Sequence, residues 1–214
     1  MEITPGAYPW QSLYKLMIGS IVPRPIGWIS TLGPGGRPNL APFSFFSAVD
    51  ANPPHVLFCP MVRSTDHQAK DTLRNVRAGG EFVANIVTEP LAQAMNVTST
   101  EFPADVNEFQ AAGLSAAPSV AVRPPRVAES PVHFECQVAH IVDLGDGPGS
   151  GSVVIGRVVH LHVDDRVVFG GDKIDLAKLR PIGRLAGHSY CRVTDLFELV
   201  RPPSQIVRPA DETP

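Results

Sequence analysis

The sequence lacks a long apolar run, a run of charges of one sign and a cysteine pair. A membrane-spanning helix needs about 18 or more consecutive apolar residues, and the 214 residues contain no such stretch. The 18 basic and 21 acidic residues nearly balance, with a net charge of −3. Because no basic run occurs, nucleic acid is not favoured as the main partner. We therefore expect neither a membrane nor a nucleic-acid partner.

The cysteines are few and do not form a recognisable framework. Cys59, Cys136 and Cys191 are odd in number, far apart and outside any CxxC motif. This pattern predicts free thiols in a reducing compartment. The N-terminus also lacks the basic start and apolar run of a signal peptide. We therefore expect a cytoplasmic protein.

The common signatures of nucleotide-binding and hydrolytic sites are missing as well. No GxGxxG, GxxxxGK[ST], GxSxG or HExxH motif occurs in the sequence. A Rossmann dinucleotide site, a P-loop, an α/β-hydrolase nucleophile and a zincin site are therefore unsupported. No catalytic dyad or triad is indicated, and we predict no catalytic side chain.

The sequence is rich in residues that form turns. It contains 22 prolines and 18 glycines, yet 43% of its residues are hydrophobic. Such a chain folds but does not build long helices. We interpret residues 1–200 as one domain and residues 201–214 as a Pro-rich C-terminal arm or a disordered tail.

Two segments alternate between apolar and polar residues with the period of a half-buried strand. Residues 132–138 place Val, Phe, Cys and Val on one face, and residues 159–163 place Val, Leu and Val likewise. The loop at 145–152 between them consists of turn-forming residues. The pattern predicts an antiparallel hairpin.

Other short segments complete a mainly β chain with few helices. A helix is predicted at 68–78 with Gly79-Gly80 as its stop, and the alternative is a shorter helix capped by Asp71. The architecture favoured is a closed or nearly closed antiparallel barrel. The remaining strand candidates are 26–32, 39–49, 55–61, 81–87 and 188–194, with 196–199 following, and the weaker helix candidates are 10–17, 90–96 and 107–112.

Small polar residues lie among prolines and aromatic residues in the segment 23–47. Thr31, Asn39, Ser44 and Ser47 are examples. One interpretation is an ordinary buried hairpin whose hydroxyl groups bond nearby backbone. The other is a flat apolar slot that meets a planar heteroaromatic ligand through backbone groups and short side chains. The residues alone leave both open.

The start of the predicted helix is a candidate phosphate site. Helix N-termini bind phosphate through free N–H groups and the helix dipole, and Lys70 and Thr72 add a charge and a hydroxyl donor. The alternative is a solvated helix start. His160 and His162 on one strand face suggest a metal site less strongly, because no third ligand is indicated.

Several motifs together resemble the flavin reductase-like family of FMN-binding split barrels, which includes flavoredoxin and related NAD(P)H:flavin or ferric reductases. The motifs keep the family's order over about residues 15–200. Ala186 departs from the glycine more common there. The motifs are PRPIGWIST at 23–31, NLAPFSFF at 39–46, NPP at 52–54, KDTLRN at 70–75, EFVAN at 81–85, NEF at 107–109 and GRLAGHSY at 183–190.

The resemblance implies a Greek-key split barrel with a few short flanking helices, a homodimer, and FMN close to the dimer interface. Lys70 and Thr72 would hold the phosphate, and Arg184 and Tyr190 would lie near the site. The residues expected to line the isoalloxazine and ribityl chain are Thr31, Asn39, Ala41, Pro42, Ser44, Phe45 and Ser47.

The activity implied is an FMN-dependent NAD(P)H oxidoreductase. Electrons would pass to free flavin, ferric iron or a partner protein such as a flavin-dependent monooxygenase. The alternative is a non-enzymatic FMN carrier or electron-transfer module. In either case the cofactor carries the redox chemistry, and backbone amides of residues 39–45 are expected to donate hydrogen bonds to it.

Overall fold

A seven-stranded antiparallel sheet forms the centre of the structure, a computed structural model that describes residues 1–206. The order in the sheet is β2-β1-β5-β8-β9-β4-β3, and the other strands form the ribbons β6–β7, β10–β11 and β12–β13. The mainly β prediction is confirmed. The strands are β1 (Gly27–Leu32), β2 (Pro38–Phe43), β3 (Phe46–Ala51), β4 (Pro54–Phe58), β5 (Glu81–Ile86), β6 (Ala116–Ala117), β7 (Arg126–Val127), β8 (Val132–Asp143), β9 (Ser152–Val163), β10 (Val168–Phe169), β11 (Lys173–Ile174), β12 (Ile182–Arg184) and β13 (Tyr190–Arg192).

The helices are short and lie around the sheet. In the described part of the chain, residues 1–206, no helix is long and apolar enough to cross a membrane. The α-helices are α1 (Trp10–Ser20), α2 (Asp71–Gly79), α3 (Ala92–Val97), α4 (Glu108–Ala111) and α5 (Leu176–Leu179), with 3-10 turns at Pro34–Gly36, Glu89–Leu91 and Asp165–Val167.

Helix α2 begins at Asp71 and Lys70 is its N-cap residue, so the predicted start at residue 68 is wrong. The shorter helix is confirmed, but Asp71 is its first residue and not its cap. Gln68 belongs to the preceding turn: its N–H donates to Asp66 Oδ1 at 3.0 Å and its carbonyl accepts from the Arg63 N–H at 2.8 Å. At the other end Gly80 has φ of 70°, and its N–H donates to Val76 O at 2.9 Å. This left-handed glycine ends the helix as predicted.

The two edge strands of the sheet, β2 and β3, are joined by Ser44 and Phe45 alone. The sheet must therefore curl until its edges approach each other. The single strand predicted at 39–49 is wrong. Phe43 and Phe46 both enter the core, and residues three apart in an unbroken strand would face opposite sides. Phe46 also needs Gly27, because a Cβ there would lie 2.5 Å from its ring.

Both faces of β1 are covered. Ile29 packs inside the curled sheet with Phe58 and Phe82, whereas Trp28 packs outside it with Met95. The Trp28 indole N–H donates to Thr98 Oγ1 at 2.8 Å. This bond fixes the chain after α3 beside β1 and β2, where the candidate site lies.

The predicted hairpin is confirmed as β8–β9, with Val132 opposite Val163. The half-buried alternation is wrong, because His133 is 2% exposed and Glu135 is 0% exposed. The segment before β8 covers the face of β8 that carries His133 and Glu135, and it supplies hydrogen-bond donors to Glu135. Glu135 accepts hydrogen bonds from the N–H groups of Val120 and Ala121, and from Arg126 Nε at 2.7 Å.

The C-terminal segment carries little regular structure. Only Tyr190–Arg192 of the candidate strand 188–194 is a strand, and Leu196 and Phe197 are exposed. Residues 201–206 of the expected arm are exposed without helix or strand, and residues 207–214 lie outside the described residues.

The Glu135 carboxylate is buried and is surrounded by hydrogen-bond donors. Burial alone would raise the pKa of Glu135, but the hydrogen bonds from Val120, Ala121 and Arg126 outweigh it and lower this pKa. The carboxylate is therefore charged at neutral pH, and its contribution to stability is lost as the pH falls through the lowered value.

Replacing Glu135 by alanine is expected to destabilise the protein by about 3–5 kcal/mol at pH 7, because Arg126 keeps a buried charge without its partner. Urea unfolding monitored by circular dichroism measures the change. Glu198→Ala, at an exposed position, is the control and should stay within about 0.5 kcal/mol of wild type. Equal midpoints for the two variants would contradict the role given to Glu135.

Candidate functional site

An open cleft lies between β2, the start of α2 and the chain that follows α3. It brings together five residues that the sequence singled out, Asn39, Ala41, Pro42, Lys70 and Thr72. The other lining residues are Phe43, Arg63, Asp71, Thr98, Ser99, Thr100, Glu101, Phe102 and Glu108.

The floor of this cleft is a buried hydrogen-bond network centred on Asn39. Asn39 Oδ1 accepts from the Thr31 hydroxyl at 3.1 Å and from the Thr72 hydroxyl at 3.0 Å. Asn75 Nδ2 donates to Thr31 Oγ1 at 2.9 Å. Thr31 is fully buried and lies beneath the cleft, so it positions Asn39 and does not line the surface.

Glu108 completes the network from α4. Its carboxylate accepts from Asn39 Nδ2 at 2.6 Å and from the Leu40 N–H at 3.2 Å. Burial raises the pKa of Glu108, and these hydrogen bonds oppose that effect. Glu108 therefore holds α4 against β2. In the sequence it belongs to the NEF motif, but it was not assigned to a site there.

The free edge of β2 presents acceptors to the cleft and almost no donors. The Leu40 N–H points away from β1, toward Glu108, and backbone groups of alternate residues in a strand point to the same side. Residues 38 and 42 share that side, but both are prolines and have no N–H. The expected backbone donors from 39–45 are therefore restricted to the Ser44-Phe45 turn.

The opposite end of the cleft is polar and holds charges of both signs, Arg63 and Lys70 beside Asp71 and Glu101. Lys70 Nζ lies 3.8 Å from Glu101 Oε1, and α2 begins directly after Lys70 without a side-chain cap. Its first N–H groups therefore lack partners within the helix. Arg63 is less available, because its Nε and Nη2 donate to the Asp66 carboxylate at 2.9 and 2.6 Å.

Glu101 is the acidic residue at this end and was not recognised in the sequence, where no motif marks it. Its Oε1 accepts from the Ser64 N–H at 2.9 Å and from the Ser64 hydroxyl at 3.2 Å. Its Oε2 accepts from the Thr65 hydroxyl. The Thr65 hydrogen bond is the largest of the effects that lower the pKa of Glu101 to about 2.

A second cleft adjoins the first, and Pro42 and Ser99 line both. It brings together Ser44, Arg184 and Tyr190, three of the residues that the resemblance placed at or near the site. The Arg184 guanidinium lies 4.5 Å from the centroid of the Tyr190 ring, which is a cation–π contact. The other lining residues are Tyr14, Ile18, Arg24, Ile26, Met95, Asn96 and His188.

Two residues expected at the site lie outside both clefts. Phe45 faces the guanidinium of Arg24, which is 6.0 Å from the ring centroid. Ser47 is exposed on β3, and its hydroxyl donates to Ala48 O at 3.0 Å. The turn at Ser44-Phe45 separates both side chains from the wall formed by Ala41 and Pro42.

His160 and His162 on β9, the pair considered for a metal site, are not joined by a third ligating side chain within residues 1–206. His162 Nδ1 lies 2.9 Å from Nδ1 of His133 across the hairpin, and His133 Nε2 lies 2.8 Å from Val127 O. Burial lowers the pKa of His133 to about 4, so its imidazole is neutral at pH 7. Among residues 1–206, no three His, Cys, Asp or Glu side chains are grouped to hold a metal ion.

Comparison with known proteins identifies relatives over nearly the full chain. A family model described as a flavin reductase like domain matches residues 18–174. Nitrilotriacetate monooxygenase component B from Bacillus cereus is 34% identical, with a TM-score of 0.87 over 93% of this chain and 98% of that one. The 2-nitrobenzoate 2-nitroreductase NbaA from Pseudomonas fluorescens is 30% identical, with a TM-score of 0.83 over 96% of this chain and 100% of its own.

A more distant structure confirms the expected architecture. A protein with a split barrel domain from Shewanella frigidimarina is 22% identical, with a TM-score of 0.79 over 94% of this chain and 100% of that chain. The curled sheet with its edges joined at Ser44-Phe45 is therefore a split barrel.

Asn39→Asp is expected to destabilise the protein by about 3 kcal/mol or more at pH 8, because it places a second buried carboxylate against Glu108. The pair would share a proton, so at least one folded-state pKa rises above its unfolded value. The loss of stability relative to wild type should therefore shrink as the pH falls toward 5. Urea unfolding at both pH values measures it.

Asn107→Asp is the matched control. Asn107 Oδ1 accepts from the Phe109 N–H at 3.0 Å at the start of α4, and aspartate serves that position equally well. A loss of stability for Asn39→Asp that is the same at pH 5 and pH 8 would contradict the proposed contact between the two carboxylates.

Proposed function

The chain belongs to the flavin reductase-like family, and on that premise we propose that it is an FMN-binding oxidoreductase that uses NAD(P)H as reductant. The acceptor would be free flavin, ferric iron or a partner protein. Bound FMN would supply the redox chemistry, because its ring takes a hydride and passes the electrons on. The protein's part is to bind, orient and shield that ring.

One observation carries the proposal: a single cleft joins a polar end, which holds Lys70 and a helix N-terminus, to a flat apolar wall. Lys70 and the start of α2 lie at one end, and Ala41 and Pro42 form the wall at the other. A phosphate fits the first environment, and a planar heteroaromatic ring fits the second. The residues present therefore suit a flavin mononucleotide.

At the phosphate end, Lys70 and the first N–H groups of α2 are the donors. The Thr72 hydroxyl already donates to Asn39, so its expected role at the phosphate passes to its backbone N–H. At the ring end, the carbonyl groups on the free edge of β2 are suited to a ring N–H donor. Donors toward the ring come from the turn at Ser44-Phe45.

The second cleft is the proposed route for the reductant and the acceptor. It meets the ring wall at Pro42, and the Arg184–Tyr190 pair offers an aromatic face beside a positive charge. Two acceptors are suggested by the relatives: a flavin-dependent monooxygenase, from the component B protein, and a nitroaromatic carboxylate, from the nitroreductase. The Arg184–Tyr190 pair would suit the aromatic carboxylate.

A homodimer belongs to the proposal. None of the side chains of α1 is buried, although Trp10, Leu16 and Met17 are apolar and 43%, 44% and 52% exposed. Such an apolar surface is typical of an interface. The cysteines Cys59 and Cys136 are free thiols, which supports a reducing compartment such as the cytoplasm.

The decisive experiment titrates the purified protein with FMN and then adds NADH or NADPH without oxygen. We expect FMN to bind with a shifted absorbance spectrum and to bleach with at least one reductant. Sustained NAD(P)H oxidation with free flavin present would support the enzyme, whereas bleaching without turnover would support the carrier. A protein that binds no FMN would contradict both.

Lys70→Ala is expected to weaken FMN binding about tenfold, because it removes a positive charge from the phosphate end. Riboflavin lacks the phosphate and should bind both proteins equally. Lys178→Ala, at an exposed lysine of α5, is the control and should leave both affinities unchanged. Equal FMN affinities for Lys70→Ala and wild type would count against the phosphate role of Lys70.

A further inference from the structure

The loop before α2 carries a set of hydrogen-bond donors that binds an anion. In the structure this anion is the carboxylate of Glu101. Three donors converge on the carboxylate of Glu101: the Ser64 N–H, the Ser64 hydroxyl and the Thr65 hydroxyl. Lys70 Nζ lies 3.8 Å away. A backbone N–H, two hydroxyls and an ammonium group are the set of donors that also binds a phosphate monoester.

The Glu101 carboxylate and the proposed phosphate both depend on the positive charge of Lys70. Glu101 and Lys70 line one cleft with Pro42, so an anion at Lys70 would meet the carboxylate directly. The hydrogen bonds that lower the pKa of Glu101 to about 2 keep it ionised throughout the physiological range. Two anions sharing one set of donors repel each other.

The carboxylate can leave without disturbing the core. Glu101 lies on an exposed stretch between two anchors, Thr98, which accepts from the Trp28 indole, and Glu108, which is buried against Asn39. Between these anchors, Arg37 holds the chain through one hydrogen bond, from its Nη1 to Ala104 O at 3.1 Å. Rotation of the Glu101 side chain would free all three donors.

We propose that Glu101 is an internal competitor of the FMN phosphate, held on Ser64, Thr65 and Lys70 in the free protein and displaced when the ligand binds. This inference rests on the proposed function, whose binding site it deepens. Its consequence is a lowered affinity for FMN, which favours a flavin that exchanges with solution over one that is permanently held.

The test replaces Glu101 by glutamine, which keeps the shape and removes the charge. We expect FMN to bind Glu101→Gln about tenfold more tightly than wild type, because a charged competitor for the donors is lost. Riboflavin affinity should not change. Asp105→Asn removes one charge from an exposed position of the same stretch and is the matched control, expected to behave as wild type.

The readouts are fluorescence titrations with FMN and riboflavin, with circular dichroism to verify folding. Glu101→Ala is the second variant and should also bind FMN more tightly. Unchanged or weaker FMN binding by both variants would overturn the proposal, because Glu101 would then support the loop without competing. An equal gain with riboflavin would also overturn it.

Inorganic phosphate separates this inference from the proposed function. Thermal unfolding with and without phosphate should show a larger stabilisation of Glu101→Gln than of wild type, whether or not FMN is the ligand. If no protein binds FMN but the variant gains phosphate binding, the proposed function fails and the competitor role stands. If FMN binds wild type and Glu101→Gln equally, the proposed function stands and the competitor role fails.

Discussion

The candidate site depends on the hydrogen bonds made by the side-chain amide of Asn39. Its oxygen accepts hydroxyl donors from β1 and α2, through Thr31 and Thr72, and its nitrogen donates to Glu108 of α4. Three elements, β1, α2 and α4, are thereby fixed around one residue of the edge strand β2. Because every partner is buried, loss of one leaves polar groups unsatisfied. This network holds the apolar wall at Ala41 and Pro42 and the polar end at Lys70 at a fixed separation.

The composition of β2 has a direct consequence for ligand binding. Pro38 and Pro42 remove donors from its free edge, and Glu108 occupies the N–H of Leu40. The edge is protected against pairing with another strand, and it offers carbonyl groups to a ligand. Pro42 lines both clefts, so the rigid part of the strand separates the proposed cofactor site from the proposed reductant site.

Much of the fold followed from the sequence, because turn residues and alternation are local signals. These local signals predict the hairpin at 132–163 and the glycine that ends α2. They also single out Lys70 at a helix start and Pro42 in a segment of prolines and aromatic residues. The break at Ser44-Phe45 was not predicted, since residues 43–46 contain neither Gly nor Pro and a single serine between aromatic residues is a weak turn signal. The burial of Glu135 was missed because alternation describes one strand and not the distant segment, 120–126, that covers it. Glu101 was missed for the same reason: its partners at 64–65 are found only in three dimensions.

The measurement that tests the central claim most directly is a crystal structure of the protein with FMN. The account predicts the phosphate within hydrogen-bonding distance of Lys70 and the first N–H groups of α2, the ring against Ala41 and Pro42, and Glu101 moved away from Ser64. A flavin bound elsewhere, or a phosphate that leaves Glu101 on its three donors, would contradict it.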